Sequence, residues 1–244
     1  MSDNDSKKVA VVTGGGRGIG AAIAAAMAND GGFKLLLAAR TEKQLAETAE
    51  RCRSAGAECV HIPTDVTDEK QVAALFAKTI ETYGRLDVLV NNAGAGVFKP
   101  IVETSLDDWR STLDSNATSA FLCSREALKL MTPRKTGTIL NISSIVGLTG
   151  YPNQAAYTAS KHAMMGLTKV IAEEGKPHGI RAHAICPGGV ATEMVAQSRP
   201  DLSPDILIQP ETVAETALFL LKLPPNASID TIHLRRFGSQ SFII

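Results

Sequence analysis

Short apolar segments alternate with helix-like segments along almost the whole chain. This alternation constrains the fold most strongly, because β-branched runs without a polar side are typical of parallel strands, which need a crossover between them. Strands are predicted at residues 8–12, 35–39, 59–62, 86–90, 138–142, 180–185 and 229–234. Helices are predicted at about 19–29, 41–54, 67–82, 105–131, 155–174 and 210–221. The pattern indicates an α/β protein with a doubly wound, mainly parallel sheet of seven strands and helices on both faces.

No linker or repeat divides the 244 residues, so a single domain over residues 1–244 is expected. The 25 lysines and arginines balance the 25 aspartates and glutamates, which predicts no nucleic-acid partner and no membrane partner. The polar start of the chain predicts no signal peptide. The four cysteines lack CxxC spacing, and the histidines form no ligand pattern, so free thiols, no metal site and a cytoplasmic location are expected.

Three helix starts carry capping signals. Thr41 and Gln44 have the spacing of a capping box, and Thr67 is the expected cap of the third helix. The run from Ser105 to Asp108 has the form of a cap for a long helix at 105–131. These signals place the helices between the predicted strands.

A glycine-rich loop, Thr13-Gly14-Gly15-Gly16-Arg17-Gly18-Ile19-Gly20, joins the first predicted strand to the first helix. Such a loop lets the backbone approach a pyrophosphate, whose charge is favoured at a helix N-terminus. Its spacing differs from the common G-x-G-x-x-G, and no Gly-Lys-Ser/Thr follows that would indicate a Walker loop. A flexible strand–helix turn is the alternative, but the position after the first strand favours a dinucleotide site.

The end of the second strand indicates which dinucleotide is bound. NAD sites usually carry a carboxylate there, but this strand ends with Ala39 and Arg40. Ala39 leaves room for a phosphate, which Arg40 and Arg17 are placed to bind, so NADP(H) is favoured. Glu42 is the rival residue, and we interpret it as structural because the first turn of a helix favours an acid.

Over residues 8 to about 222 the chain resembles the short-chain dehydrogenase/reductase family, which implies a Rossmann-like fold. The resemblance rests on motifs that stand in family order: Thr13–Gly20, Asp65-Val66, Asn91-Asn92-Ala93-Gly94, Asn116, Ser144, Tyr157-Thr158-Ala159-Ser160-Lys161, and Pro187-Gly188 with Thr192. Tyr-x-x-x-Lys is common by chance, but the whole series at this spacing is specific. It implies hydride transfer between NADP(H) and a carbonyl or secondary alcohol carbon.

The resemblance makes Tyr157 the general acid in carbonyl reduction and the base in the reverse direction. Tyr157 and Lys161 share one face of a predicted helix, and a nearby ammonium favours the phenolate, as does oxidised nicotinamide. A lower pKa for Tyr157 is therefore expected. Ser144 stands at the family position for the hydroxyl that polarises the carbonyl, with Ser143 as the neighbouring candidate. Asn116 is expected to distort its helix and, by resemblance, to hold a water that links Lys161 to solvent.

The resemblance also assigns nucleotide contacts to residues at the ends of several strands. Residues 65–66 correspond to the adenine contact, and residues 91–94 flank the adenosine ribose. Within residues 187–192, the backbone of Val190 and the hydroxyl of Thr192 contact the nicotinamide carboxamide. The expected nucleotide-binding set is Gly14, Gly16, Arg17, Gly18, Ile19, Gly20, Arg40, Asp65, Val66, Asn92, Ala93, Gly94, Tyr157, Lys161, Pro187, Gly188, Val190 and Thr192.

The C-terminal part departs from the common family pattern. No Asp-Gly-Gly follows the last predicted strand, and the region from Leu223 resembles a branch that contains reductases of small hydroxy acids and of other carbonyls. The substrate class therefore stays open among a small hydroxy acid, a 3-oxoacyl thioester and another ketone. Residues 192–209 are the expected lid. The apolar residues Phe242–Ile244 are expected to dock on the fold or at a subunit interface of a homodimer or homotetramer.

A non-catalytic dinucleotide sensor or interaction protein on the same fold is the alternative function. Such a protein has no need of all four candidate catalytic residues (Asn116, Ser144, Tyr157 and Lys161), and all four are present. NADPH binding without turnover of any carbonyl compound would favour this alternative.

Overall fold

A computed structural model describes residues 7–199 and 201–240. The predicted C-terminal docking segment at 242–244 lies outside the described residues. Seven strands form one parallel sheet in the order β3-β2-β1-β4-β5-β6-β7. They are β1 (Lys8–Thr13), β2 (Phe33–Ala39), β3 (Cys59–Pro63), β4 (Val88–Asn91), β5 (Gly137–Ile142), β6 (Ile180–Pro187) and β7 (Thr231–Leu234). The predicted Rossmann-like, doubly wound sheet in a single domain is confirmed.

Helices cover both faces of the sheet. They are α1 (Gly18–Asp30), α2 (Glu42–Ser54), α3 (Glu69–Tyr83), α4 (Leu106–Leu113), α5 (Ser119–Met131), α6 (Ala155–Gly175), α7 (Glu193–Ser198) and α8 (Pro210–Leu221). The expected lid at 192–209 contains α7 and a short 3-10 turn at Pro204–Ile206. In the described part of the chain, no helix is both long and apolar enough to cross a membrane.

The strands are buried on both sides, as their uniformly apolar sequences predicted. In β1, Ala10 and Val12 pack into the cluster that holds α1, α2 and α8, while Val11 packs into the cluster that holds α3, α5 and α6. All three side chains are fully buried. Because both faces are covered, binding sites are left to the edges of the sheet, and the order of strands reverses between β1 and β4. Ligands of open α/β sheets bind at this point, beyond the carboxyl ends of the strands.

The predicted long helix at 105–131 is interrupted. Ser105 and Asp108 form the expected capping box of α4, and a π-helical turn at Asp114–Thr118 separates α4 from α5. The Asn116 amide donates to the carbonyl of Thr112 at 2.8 Å, so the side chain takes an acceptor that a regular helix uses for its backbone. The predicted distortion at Asn116 is confirmed.

Two predicted caps are wrong in detail. Thr41 does precede α2, but its side chain makes no capping hydrogen bond. The third helix is capped by Asp68, whose carboxylate accepts from the backbone amides of Lys70 and Gln71. The hydroxyl of Thr67 donates to the Asp65 carboxylate at 2.7 Å and is therefore not used as a cap.

Candidate active site

A first cavity of about 420 Å³ lies along the carboxyl edge where the strand order reverses. The glycine loop forms one wall, the segments after β2 and β3 lie at one end, and the segment after β4 lines the space between the two ends. The other end is formed by α6 and the start of the expected lid. The lining residues fall at 14–19, 39–44, 64–67, 92–95, 115–116, 142–143, 157–161 and 191–194. Most of the predicted nucleotide-binding residues thus face one continuous space.

The glycine loop packs tightly on the segment that follows β4. Gly14 and Gly18 have positive φ angles of 63° and 53°, which side chains rarely adopt. A Cβ on Gly14 would lie 2.7 Å from the amide nitrogen of Asn92, which itself donates to the Gly14 carbonyl at 3.2 Å. A Cβ on Gly20 would overlap the carbonyl oxygen of Gly14, so Gly20 permits close packing beneath the loop and does not line the cavity.

The same loop fits the pyrophosphate of a dinucleotide. Helix α1 begins at Gly18 directly beside the cavity, and its first turn contains no acidic residue. An anion at this position is stabilised by the helix N-terminus. A Cβ on Gly18 would meet Thr192 at 3.4 Å, so the absence of a side chain keeps this part of the cavity open.

Arg40, at the end of β2, is exposed and lines the first cavity. Within residues 7–199 and 201–240 it has no hydrogen-bond or ion-pair partner. Arg17 lines the cavity too, but forms an ion pair with Glu193 of α7. The rival residue Glu42 pairs with His61 at 3.3 Å and does not line the cavity.

The segment after β3 lines the cavity at the end near Arg40, and the segment after β4 lines it farther along. Val66 is buried, and the Asp65 carboxylate accepts from the backbone amide of Thr67 at 2.9 Å. The amide of Asn92 also donates to the carbonyl of Thr13 at 3.0 Å and so fixes the carboxyl end of β1. Ala93 and Gly94 continue the wall toward the other end of the cavity.

At the other end, Tyr157 and Lys161 of α6 meet the segment after β5. Lys161 is buried, and its ammonium donates to the carbonyl of Ile142 at 2.9 Å while lying 5.7 Å from the centroid of the Tyr157 ring. The rings of Phe98 and Tyr157 pack edge to face at 5.6 Å. These contacts hold the tyrosine ring between two fixed elements.

The two neighbouring serines have different surroundings. The Ser143 hydroxyl donates to the carbonyl of Lys161 at 3.4 Å and so ties the segment after β5 to α6. The Ser144 hydroxyl accepts from the Val146 amide at 3.3 Å and hydrogen-bonds with Tyr157. Ser144 is therefore the serine that shares its surroundings with the tyrosine hydroxyl.

The pKa of Tyr157 differs from the sequence expectation. Burial raises this pKa to about 12, and the hydrogen bond from Ser144 offsets only part of the effect. Burial also lowers the pKa of Lys161 to about 8. The expected lowering at Tyr157 is absent because desolvation by burial outweighs the hydrogen bond from Ser144. The phenol keeps its proton at neutral pH.

Asn116 is fully buried beside this pair. Its amide nitrogen donates to the carbonyls of Thr112 and Ala95, while its side-chain oxygen accepts no hydrogen bond from any described residue. A Cβ on Gly94 would collide with that oxygen and would lie 3.7 Å from the Lys161 ammonium. The free carbonyl oxygen of Asn116 thus lies near the lysine.

A second cavity of about 190 Å³ continues from the first. The two share residues at their junction, namely Ile19, Ser143, Tyr157, Thr192 and Met194. Ser144 lines the second cavity, together with Phe98, Tyr151 and Gln154 from the loops at 95–101 and 148–155 and Met194, Val195, Arg199 and Leu202 from the expected lid. Pro187, Gly188 and Val190, expected at the nucleotide, line only this second cavity.

Sequence reasoning missed the contribution of the segment after β7. Arg235, Arg236 and Ser239 line the second cavity, although the sequence alone predicts no site role for them. The signal was available, because residues directly after a parallel strand fall at the carboxyl edge. In the described chain, no group of three or more histidine, cysteine, aspartate or glutamate side chains is placed to hold a metal ion.

The sheet and the cavities at its carboxyl edge define a Rossmann-type α/β protein. Within this class the chain belongs to the short chain dehydrogenase family, whose sequence profile matches residues 8–203. The protein is therefore an oxidoreductase of the type that uses a nicotinamide dinucleotide.

Three known proteins illustrate the similarity. A 3beta-hydroxysteroid dehydrogenase of Mediterraneibacter gnavus is 42% identical over 197 residues, which cover 80% of this chain and 71% of that protein. A 3-oxoacyl-[acyl-carrier-protein] reductase of Synechocystis sp. is 36% identical over 227 residues, which cover 91% of this chain and 92% of that protein. A variant of actinorhodin polyketide ketoreductase, solved with NADPH, superposes with a TM-score of 0.89 at 32% sequence identity. The superposition covers 95% of this chain and 97% of the ketoreductase.

Proposed function

We propose that the protein is an NADP(H)-dependent oxidoreductase that interconverts a ketone and a secondary alcohol, with Tyr157 as general acid and base. The observation that carries this proposal is the position of Tyr157 at the junction of the two cavities, between Ser144 and Lys161. The names of the similar proteins support the substrate class, since they include a hydroxysteroid dehydrogenase, an oxoacyl reductase and a ketoreductase.

The chain's own residues divide the chemistry between them. The reduced nicotinamide, when bound, supplies the hydride that the carbonyl carbon accepts. The hydroxyl of Ser144 donates to the carbonyl oxygen, which stabilises the negative charge that develops there. The Tyr157 hydroxyl, protonated at neutral pH, donates its proton to that oxygen, and the product is the alcohol.

Lys161 and Asn116 serve Tyr157 after it has given up its proton. The buried ammonium of Lys161 stabilises the phenolate, since opposite charges attract strongly where water is excluded. The free side-chain oxygen of Asn116 is a site for a water that returns a proton through Lys161. This proton relay is our proposal for the resupply of Tyr157, and it agrees with the role that the family resemblance assigns to Asn116.

The preference for NADP(H) is proposed from the charges near the end of β2. Arg40 is the cation there with no partner in the described residues, and Ala39 beside it leaves room for a phosphate. The ion pair of Arg17 with Glu193 is 60% and 64% exposed, so breaking it costs about 0–1 kcal/mol. Both arginines are therefore available to a 2′-phosphate.

The first experiment is a titration with NADPH and NADH that follows nicotinamide fluorescence. We expect NADPH to bind at least tenfold more tightly, which corresponds to about 1.4 kcal/mol. Arg40→Met should weaken NADPH binding by roughly 10- to 100-fold, because it removes a charge-assisted hydrogen bond, and should change NADH binding less than about threefold.

Glu42→Gln is the matched control for this titration. It should leave both affinities unchanged if Glu42 only supports α2 and His61. Weaker NADH binding in Glu42→Gln, together with equal affinity of the wild-type protein for both nucleotides, would contradict the proposed preference. A subsequent screen of ketones with NADPH tests the reaction itself.

A homodimer or homotetramer in the cytoplasm remains part of the proposal. Large apolar side chains are exposed around α4 and α5, including Val102, Leu106 and Phe121 at 89%, 60% and 47% exposure. Exposed large apolar side chains of this kind are available for protein–protein contacts. The mass of the protein in solution tests this part.

A further inference from the structure

The segment after β7 brings an arginine side chain into the wall of the second cavity. The backbone amide of Gly188 donates to the carbonyl of Leu234 at 2.7 Å, which joins this segment to the end of β6. A Cβ on Gly189 would lie 3.5 Å from Cδ and 3.6 Å from Nε of Arg236. The guanidinium end of Arg236 therefore passes over Gly189, beside the side chain of Leu207.

The charged residues that line this cavity are all arginines. They are Arg199, Arg235 and Arg236, and among the described residues no aspartate or glutamate lines the cavity with them. The three guanidinium groups are not equally available to a ligand, because two of them already donate hydrogen bonds to other groups of the protein. Arg199 makes two hydrogen bonds to the carboxylate of Asp201, at 2.7 and 2.6 Å.

Arg235 serves the backbone of its own loop. One of its terminal nitrogens donates to the carbonyl oxygens of Arg236, Phe237 and Ser239 at 2.9–3.2 Å. These bonds fix the turn that follows β7 and so fix the position from which Arg236 projects.

Arg236 is the arginine left over. Its side chain is partly buried, and over residues 7–199 and 201–240 its guanidinium meets no hydrogen-bond acceptor and no ion-pair partner. The positive charge of Arg236 contributes to a lowered pKa at Asp201, but both carboxylate oxygens of Asp201 already accept from Arg199. A partly buried guanidinium without an acceptor is unfavourable, and its planar donors match a carboxylate or a phosphate.

We propose that Arg236 binds an anionic group, a carboxylate or a phosphate, on the carbonyl substrate in the second cavity. This inference rests on the proposed function, which places the carbonyl between Ser144 and Tyr157 in the same cavity. Apolar side chains such as Val146, Leu202 and Val195 line the rest of the wall, so a short apolar chain separates the carbonyl from the anion. The volume of about 190 Å³ suits a small acid.

The test compares anionic substrates with neutral partners of the same skeleton. Acetoacetate, levulinate and 5-oxohexanoate are each compared with their methyl esters, and dihydroxyacetone phosphate is compared with dihydroxyacetone, all with saturating NADPH. We expect the best anionic probe to exceed its neutral partner at least tenfold in kcat/KM. Whether this probe is a keto acid or the phosphate identifies the anion.

Arg236→Met should lower kcat/KM for the best anionic probe at least 30-fold, mainly through KM, and should change the value for its neutral partner less than threefold. Arg236→Gln, which keeps polarity but removes charge, serves if the methionine variant fails to fold. Lys176→Met removes an exposed charge just after α6 and controls for net charge. It should leave both values unchanged.

Calorimetric titration of the same probe into the protein saturated with NADP⁺ separates this inference from the proposed function. If no carbonyl compound turns over but the anion binds to the wild-type protein and not to Arg236→Met, the proposed reaction fails and the anion site stands. Equal kcat/KM for anionic and neutral partners, or an equal loss for both in the variant, overturns the anion site and leaves the reaction. Absence of both turnover and anion binding overturns the anion site as well.

Discussion

Tyr157→Phe is expected to lower kcat for ketone reduction by about 10³-fold while leaving NADPH affinity within threefold of the wild-type value. The variant removes only the hydroxyl, and the remaining ring keeps its edge-to-face packing on Phe98. General acid catalysis contributes roughly 10²–10⁴-fold, and this is the contribution that the Tyr157 proton supplies. The measurement is the steady-state consumption of NADPH with the best ketone from the screen.

Tyr83→Phe is the matched control for the loss of a tyrosine hydroxyl. The hydroxyl of Tyr83 donates to the carbonyl of Leu35 at 3.1 Å, far from both cavities. Its removal should reduce the free energy of unfolding by about 1 kcal/mol and leave kcat unchanged. Turnover in Tyr157→Phe within tenfold of the wild-type rate would contradict the proposed role of this tyrosine.

The framework of the fold was predictable because the strands are buried on both sides. Continuous apolar runs such as 35–39 have no other stable place in a protein of this size, and a parallel sheet then requires the intervening helices. Helix starts were less predictable. Ser105 caps α4 as its sequence predicts, but the hydroxyl of Thr67 donates to the carboxylate of Asp65, two residues upstream. Local sequence does not say which of several nearby acceptors a hydroxyl will choose.

The candidate site also has features that the sequence predicts and features that depend on the folded structure. The rule that ligands bind at the carboxyl ends of strands locates Asn92, Ser144 and Thr192 from the sequence alone. The pKa of Tyr157 was not predictable, since it depends mainly on burial, which only the structure reveals. The free guanidinium of Arg236 was hidden for a similar reason, because only the structure tells which arginines have partners.

Lys161→Met is expected to lower kcat/KM for ketone reduction by about 10²–10³-fold, the effect of losing one preorganised charge beside the phenolate of Tyr157. The pH dependence should change as well. With a pKa of about 8, the wild-type ammonium is lost as the pH rises through 8, so wild-type kcat/KM should fall above that pH. In Lys161→Met this decline should be absent, because Tyr157, with a pKa of about 12, stays protonated.

The same variant is expected to keep or gain stability at pH 7. A pKa of about 8 in the folded protein, against 10.5 in the unfolded chain, means that burying the ammonium costs roughly 3 kcal/mol. Methionine removes that cost but leaves the Ile142 carbonyl without its donor, which costs about 1–3 kcal/mol. The free energy of unfolding should therefore be unchanged or rise by up to about 2 kcal/mol, although most of the activity is lost.

The pH dependence of unfolding gives this prediction its sign. Below pH 8 the folded and unfolded wild-type chains both hold the proton, so the folded state carries the full cost. Between pH 8 and 10.5 the folded protein releases the proton while the unfolded chain keeps it. The free energy of unfolding of the wild-type protein should therefore rise relative to that of Lys161→Met. Urea unfolding at pH 7 and pH 9.5 measures the change, with Lys169→Met, an exposed lysine on the same helix, as the control. The prediction is contradicted if Lys161→Met is less stable than wild type by more than about 2 kcal/mol at pH 7 and this difference in unfolding free energy does not change with pH. Lys161 would then stabilise the fold, and its buried charge would carry no cost.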